Sequence, residues 1–569
     1  MATAAPHRGS LVETLVHGRC AIACVNGTEA PDAVLASSGR VAAAFVGRLD
    51  NAAELAAELG CDVALVEPSP AALLAAGFEL WGERLPERLR GVFAGIVTDG
   101  DRLRAFRDHL GYGLLFYRSD EQGFYAATEA KQVVAGAGIP KEPDVEVVER
   151  IVFNDLDDEM PCALRGVRRL PKSTLLATTA DGVRLVRYWK PETLLETAAF
   201  SDVDVQERFD ALLGQAVSRC LTGDDVISLS GGIDSPAIAA FAAPRHLELS
   251  GRPLHALTAV YPRFRSVDER AYVELLADRF AIPLHLYEPA ANALDGLADW
   301  VALADGPYPA ASLALYAESY RGARELGSRT VLSGEHAEFV FALNWFLIEH
   351  LATHARLGAV RRQLALRRSK GESAASLAWL VARSLAPGFL LAARERRQPV
   401  GVPAWLDVRK VSERTASSYV SPWRRWSTLQ LSGFIGPGIS AEAEAICQAA
   451  CGVQARRPWT DIDLFEFFLS LPAQTKFPDT GGKNLVRRLL RGRVPDEILD
   501  RRDRTYFNEA MLADIDYVTL RRFLIEPDHR FPGVDYPLLA ERLRREDFEA
   551  LDFNWARHLA TAHAFLAQW

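Results

Sequence analysis

Ser230-Gly231-Gly232-Ile233-Asp234-Ser235 decides how this chain is read. An apolar run, Val226-Ile227-Ser228-Leu229, precedes it, and Pro236-Ala237-Ile238-Ala239-Ala240 opens a helix behind it. A strand, a tight glycine turn and a helix N-terminus in that order make a phosphate cradle. The glycines let backbone N–H groups approach closely, and the helix end adds partial positive charge. Ser230 and Ser235 can donate hydroxyl hydrogen bonds, Asp234 can hold Mg2+ between phosphates, and Pro236 suits a first helical turn. The chain contains no G-x-x-x-x-G-K-[ST] stretch, so this phosphate loop is not of the Walker type.

Outward from the loop, residues 205–340 alternate helical and strand patterns in the rhythm of a parallel sheet. Helices are predicted at 205–220, 236–242, 268–280 and 311–326, and strands at 226–229, 254–260, 283–287 and 330–332. Ligands of such sheets bind beyond the carboxyl ends of the strands. The last of these strands runs into Ser333-Gly334-Glu335-His336-Ala337-Glu338-Phe339, which makes that stretch the second place to look for chemistry. Residues 1–190 read differently. Short apolar runs at 20–25, 41–46, 91–97, 103–106, 113–117 and 123–127 predict a β-rich sandwich, with helices at 51–59 and 70–81.

A chain of 569 residues is too long for one core. Its hydrophobic content of 49% and charged content of 24% are those of a globular protein. A net charge of −9 argues against nucleic acid as a general partner. No uninterrupted apolar stretch reaches about 18 residues, so no membrane partner is expected, and the N-terminus lacks the apolar core of a signal peptide. Seven scattered cysteines make neither a disulfide framework nor a zinc site. A cytoplasmic location follows as the expectation.

The glycine loop resembles the PP-loop of ATP pyrophosphatases, which split ATP into AMP and pyrophosphate while activating a carboxylate. The first half resembles the class II glutamine amidotransferase domain of asparagine synthetases. Leu89-Arg90-Gly91-Val92-Phe93-Ala94 is similar to its L-R-G-M-F-A, Arg107-Asp108-His109-Leu110-Gly111 to its R-D-x-x-G, and Ala127-Thr128-Glu129-Ala130-Lys131 to its A-S-E-x-K. The resemblance implies two domains: residues 1–195, an amidotransferase-like sandwich flanked by helices, and residues 196–569, a PP-loop α/β parallel sheet with a helical extension. That glutaminase uses a cysteine at residue 2 as nucleophile and an asparagine in the oxyanion hole. Ala2 and Val46 stand there instead, so glutamine hydrolysis is not expected.

The resemblance also implies site residues. Ser230, Gly231, Gly232, Asp234 and Ser235 would hold ATP, with Asp234 and Glu338 as Mg2+ ligands; Glu338 stands where the family carries aspartate. Glu335 is the candidate for orienting or deprotonating the amine, with His336 as an alternative. Asp268, in a D-E-x-x-Y stretch, reads equally as a helix cap and as part of the ATP site. Lys483, in a K-x-x-x-R stretch, would contact the α-phosphate and the developing oxyanion. Asp305 opens a D-x-P segment that the family places near the substrate carboxylate. Asp461 reads best as a helix cap, and Arg504 preserves a family charge. Between Arg356 and Arg397 lie ten basic and two acidic residues, either solvated helix faces or a surface for acidic peptide.

An adenylating half joined to a silent glutaminase takes its amine from the substrate itself. β-Lactam synthetases and lasso peptide cyclases share this organisation, and Gly47-Arg48-Leu49-Asp50-Asn51, the Val340-Phe341 pair after Glu338 and the segment 502–507 look most like the lasso cyclases. The implied partners are a precursor peptide and, in addition, a leader peptidase and a leader-binding protein. A β-lactam synthetase-like or ammonia-dependent amide ligase, and a non-catalytic peptide-binding scaffold, remain open alternatives.

Overall fold

The computed structural model describes all residues except 28–32, 62–68, 157–159, 199, 310–311, 342–343, 385, 388, 391–400, 416–421, 436–437, 502–504 and 506. The first half holds strands β1 (Leu11–His17), β2 (Cys20–Asn26), β3 (Ala33–Ser37), β4 (Ala42–Leu49), β5 (Gly91–Thr98), β6 (Leu103–Arg107), β7 (Phe116–Asp120), β8 (Gly123–Ala127), β9 (Arg168–Arg169), β10 (Thr174–Thr179) and β11 (Gly182–Arg187). Six of them form an antiparallel sheet in the order β11-β10-β6-β5-β4-β3, beside a three-stranded sheet β8-β7-β9 and the β1-β2 hairpin.

Strand alternation builds the layers. Ala43 and Phe45 on β4, with Phe93 and Val97 on β5, face a core closed by the helices Ala52–Glu58 and Pro70–Trp81. The intervening Ala42 and Ala44 pack with Ile22 and Cys24 of the hairpin, and Ala94 packs with Leu115 and Tyr117 near the small sheet. This is the sandwich with flanking helices that the apolar runs predict.

The second half carries β12 (Asp225–Ser228), β13 (His255–Ala259), β14 (Leu284–Tyr287), β15 (Thr330–Leu332) and β16 (Gln454–Arg456), all parallel in the order β14-β13-β12-β15-β16. Ile227, Ala256 and Leu332 face helices Asp202–Cys220, Asp234–Ser250 and Ile462–Ser470. Val226, Leu257 and Val331 face helices Leu313–Glu325, Gly438–Cys451 and Ala550–Leu566. Both faces of the sheet are therefore buried, as a parallel sheet requires. The central strand β12 leads to β13 on one side, while β15 lies on the other. The crevice at this switch point opens onto the glycine loop.

Several boundaries differ from the sequence expectation. The helix behind the loop starts at Asp234 and runs through Pro244 to Ser250. Proline removes a helix hydrogen bond, but burial of Phe241, Ala242, Ala243 and His246 on either side holds the continuation in place. The strand expected at 113–117 begins at Phe116. Among the described residues no helix is long and apolar enough to cross a membrane.

Candidate functional site

The loop after β12 is held by its own serines. The Ser230 amide donates to Ser235 Oγ at 2.9 Å, the two hydroxyl oxygens stand 3.1 Å apart, and the Gly232 amide donates to Ser230 Oγ at 3.4 Å. Its flank is gripped by Glu269. One carboxylate oxygen accepts from the Gly231 amide at 2.9 Å, and the other from Arg501 at 2.7 Å and the Thr505 hydroxyl at 2.6 Å. A side chain on Gly231 would put Cβ 2.8 Å from Tyr272 Cβ, so only glycine fits there. Glu269, Arg501 and Thr505 are the loop's supports. Asp268 accepts from the Arg270 amide at 3.1 Å, a local turn contact just ahead of the helix Arg270–Phe280, whose N-cap position is Glu269.

Asp234 is the polar centre of the cleft. Oδ2 accepts from Lys483 Nζ at 2.5 Å, the Trp459 indole donates to its carbonyl at 3.0 Å, and Oδ1 is buried without a hydrogen-bond partner among the described residues. Lys483 Nζ also lies 5.8 Å over the Phe341 ring.

Beyond β15 the chain crosses directly over the loop. A Cβ on Gly334 would meet the Ser235 amide nitrogen at 2.5 Å and the Asp234 carbonyl carbon at 2.8 Å, so the absence of a side chain lets this strap lie against the phosphate cradle. Glu338 opens to water through the mouth of the cleft. Crowding by protein on its other sides, and then the Asp234 carboxylate, push its pKa above the ordinary glutamate value.

An orphaned, buried carboxylate oxygen on Asp234 beside a second carboxylate at Glu338 suits a hard divalent cation. Mg2+ commonly takes one or two protein carboxylates and completes its shell with substrate phosphates and water. Among the described residues no cluster of three or more His, Cys, Asp or Glu could hold a metal by itself. Two carboxylates facing a phosphate loop fit the phosphate-completed kind of site.

Glu335 is anchored rather than loose. Oε1 accepts from Tyr316 OH at 2.9 Å and Oε2 from Arg457 Nε at 3.0 Å. Burial would raise its pKa, but the Arg457 guanidinium, then His336 and Tyr316, hold it below the usual glutamate value. A general base works best with a pKa near the operating pH, so the geometry suits Glu335 to attracting and aiming an ammonium or amine. Arg457 also pairs with Glu444, which accepts from Tyr320 OH at 2.6 Å. Burial pushes the Glu444 carboxyl up despite that arginine. Tyr316, Tyr320, Ser312, Ser319, Ser333 and Glu335 line a cavity of about 310 Å3 beside the loop.

His336 takes the left-handed φ of 68°, where the resembled family has glycine. Its Nδ1 shares a 2.5 Å hydrogen bond with the Tyr112 hydroxyl of the first half. Burial, then Arg457, lowers its pKa to about 4, so it is neutral at pH 7.

The two halves meet tightly at this point. Arg48, Asp50, Asp108, His109 and Tyr112 face Arg457, Thr460 and Asp461 across a space of only about 10 Å3, room for a single water at most. Asp461 caps its helix by accepting from the Asp463 and Leu464 amides at 3.0 and 3.3 Å. Asp305 is buried and pairs with Lys131 and Lys141 at 3.5 and 3.4 Å, tying the halves together. Arg504 lies outside the described residues. In the first half, burial raises the thiol pKa of both Cys24 and Cys162 to about 12, which leaves these thiols unreactive.

The structure thus brings Ser230, Gly231, Gly232, Asp234, Ser235, Glu335, Glu338 and Lys483 to one cleft. Sequence reasoning missed Glu269 and Arg457 as the residues that brace it. Glu269 sits in the D-E-x-x-Y stretch and Arg457 just ahead of Asp461, yet their partners are distant in sequence and no spacing rule reveals the pairing.

The sequence profile of the asparagine synthase family matches residues 208–562, and that of a glutamine amidotransferase domain matches residues 8–189. The chain is 26% identical over 521 residues to asparagine synthetase [glutamine-hydrolyzing] 3 of Bacillus subtilis, covering 86% of this chain and 79% of that protein. It is 27% identical over 521 residues to a putative asparagine synthetase [glutamine-hydrolyzing] of Mycobacterium bovis, covering 83% of this chain and 74% of that one. Among solved structures, glutamine phosphoribosylpyrophosphate amidotransferase from B. subtilis matches at 13% identity with a TM-score of 0.25, covering 58% of this chain and 86% of that one, a likeness too slight to carry argument.

Proposed function

This chain belongs to the asparagine synthase family, ATP-dependent amide ligases, and we propose that the amide it makes is a macrolactam within a precursor peptide. An Asp or Glu side-chain carboxylate attacks the α-phosphorus of ATP and releases pyrophosphate. The peptide's own N-terminal amine then attacks the acyl carbon, a proton leaves the nitrogen, and AMP departs as the amide forms.

Each residue has a task in this reading. The Ser230–Ser235 loop binds the phosphates, braced by Glu269 and Arg501. Asp234 and Glu338 would hold Mg2+, which supplies charge neutralisation on the phosphates. Lys483 places a fixed ammonium where negative charge grows in the transition state, an interaction made for the transition state rather than the ground state. Glu335, kept ionised by Arg457, aims the incoming amine from the serine- and tyrosine-lined cavity.

The observation that carries the reading is the closed joint between the halves. Where Arg48, Asp108, His109 and Tyr112 meet Arg457 and Asp461 the space is only about 10 Å3, so nitrogen made in the first half would need another path to Glu335. An amine supplied by the substrate needs no such path.

The names of the relatives favour a second reading, glutamine-fed amidation of a small carboxylate. One experiment separates the two. Protein, Mg-ATP and leader-cleaved precursor peptide are incubated together, and mass spectrometry follows the peptide while AMP and glutamate are quantified. Loss of one water from the peptide with matching AMP supports macrolactam closure. Glutamate formed from glutamine in step with AMP, with the peptide unchanged, overturns it.

A further inference from the structure

A second cavity, of about 380 Å3, lies beside the cleft and belongs to none of the machinery above. Trp345, Phe346 and Leu380 wall it, Arg367 and Arg383 stand around it, and Glu349 lies beneath. It sits immediately downstream of the strap. The helix Ala337–Phe341 carrying Glu338 leads toward it, and its lining residue Asn344 donates to the Thr480 carbonyl, on the Lys483 loop, at 2.9 Å.

Three features mark it as a binding site. First, it contains two buried polar atoms with no hydrogen-bond partner among the described residues, the acceptor Glu349 Oε2 and the donor Arg367 Nε. Glu349 is only 2% exposed, and its other oxygen, Oε1, stands 3.9 Å from Arg383 and 3.7 Å from Arg425, which leaves Oε2 as the open acceptor. Second, Trp345 is 67% exposed at the cavity's edge, while Arg383 lies 5.8 Å from the Phe346 ring centre. Third, the adjoining helix Leu357–Ser369 presents Arg361, Arg362 and Arg368 to solvent, and the stretch 356–383 contains a single acidic residue, Glu372, which lies beyond that helix.

One acceptor and one donor on residues lining the same cavity match the one N–H and one C=O that a peptide group offers. An aromatic wall takes an apolar side chain, and the surplus of arginine takes carboxylates. We propose that this cavity is a docking exosite for an acidic peptide segment carrying a bulky apolar side chain, seated so that a neighbouring part of the same peptide reaches the cleft. The side chain lies against Trp345 and Phe346, the peptide group meets Arg367 Nε and Glu349 Oε2, and flanking Asp or Glu residues face Arg361, Arg362 and Arg368. The inference rests on the reading of the substrate as a peptide, but not on what bond is made.

The test is therefore binding without ATP, read by fluorescence anisotropy on the full chain. The probes are a fluorescein-labelled Glu-Leu-Glu-Phe-Glu amide, its Lys-Leu-Lys-Phe-Lys counterpart, and a labelled oligothymidylate of equal charge. The acidic peptide is expected to bind, more weakly as salt rises, and better than either comparison probe. Trp345→Ala, an exposed position that folding tolerates, is expected to weaken it roughly tenfold, the loss typical of a truncated aromatic anchor. Arg361→Gln with Arg362→Gln is expected to flatten the salt dependence. Equal binding of the lysine peptide, preference for the oligonucleotide, or no response to Trp345→Ala in folded protein each overturns the proposal. Binding that persists in a protein that fails to cyclise its peptide would leave the exosite standing and the macrolactam reading refuted.

Discussion

Replacing Gly334 by alanine tests the central geometric claim, that the strap beyond β15 must lie directly on the phosphate loop. The added methyl would stand 2.5 Å from the Ser235 amide nitrogen and 2.8 Å from the Asp234 carbonyl carbon, where ordinary contact begins at 3.4 Å. Both obstacles are main chain, so no rotamer change relieves them. Strap and loop must part by about 1 Å, and a displacement of that size at a reacting centre costs on the order of 10²-fold in rate. The overpacking itself is worth about 1–3 kcal/mol of stability, which a protein of this size survives. The assay is ATP–pyrophosphate exchange with the peptide substrate, alongside thermal unfolding. Gly358→Ala is the control, because a methyl there meets nothing within 4 Å. Wild-type exchange by folded Gly334→Ala protein would refute the reasoning, since the strap and the loop would then be free to part without consequence.

Lys483→Gln removes the fixed ammonium beside Asp234, and turnover is expected to fall by about 10²–10³-fold, as for loss of one oxyanion donor, with little change in melting temperature; single-turnover AMP release measures it. Arg457→Gln leaves Glu335 and Glu444 without their shared cation, and breaking a buried pair in this way costs about 3–5 kcal/mol; denaturant unfolding reads the loss, and an unchanged midpoint would show the network to be slack. Lys476 is buried, with Nζ donating to Gln430 at 2.7 Å, and burial lowers its pKa to about 7 from an ordinary 10.5. A lowered lysine pKa means the unfolded chain binds the proton more tightly. Stability should therefore be penalised below pH 7 and should rise as pH climbs from 7 toward 10, a rise that Lys476→Met removes. Parallel stability–pH curves for the two proteins would contradict the assignment.

The parts of this fold that were legible in the sequence are those set by short-range rules. The 230–235 loop is a contiguous strand, glycine turn and helix start, and its serines and aspartate are found where that order places them. Period-2 apolar runs marked β4, β5, β6 and β8 because each has one face on a core. The strand β1 was invisible since Leu11, Val12 and Val16 lie exposed and carry no burial pattern. Gln454–Arg456 was missed because a three-residue edge strand with a single apolar residue, Ala455, is recognised only by its pairing with β15. The same limit applies to the site. Glu335, Glu338 and Lys483 were reached through motifs, but the brace of Glu269 with Arg501 and the sharing of Arg457 by two carboxylates join residues far apart along the chain. Asp305 shows the same limit, since its motif gives no hint that Lys131 and Lys141 of the first half are its partners.

That joint explains why the first half belongs to the ligase whatever becomes of glutamine. Val148 and Ile151, on the helix Val145–Val152, share one buried core with Leu559 and Ala560 on the helix Ala550–Leu566. Arg107 and Arg169 of the first half both pair with Glu442 of the second, in a contact that is buried on all sides. Removing either partner of such a contact strands a charge in low dielectric, which is far more costly than never having built it. Tyr112 extends the coupling into the site, since its hydroxyl holds His336 in a left-handed conformation that a side chain otherwise avoids. His336 in turn sits between Glu335 and Glu338, so the conformation of the strap that carries both carboxylates depends on a tyrosine from the other half. A chain whose strap of residues 333–338 is shaped from its amidotransferase-like half keeps that half for a structural reason, independent of any thiol chemistry in it.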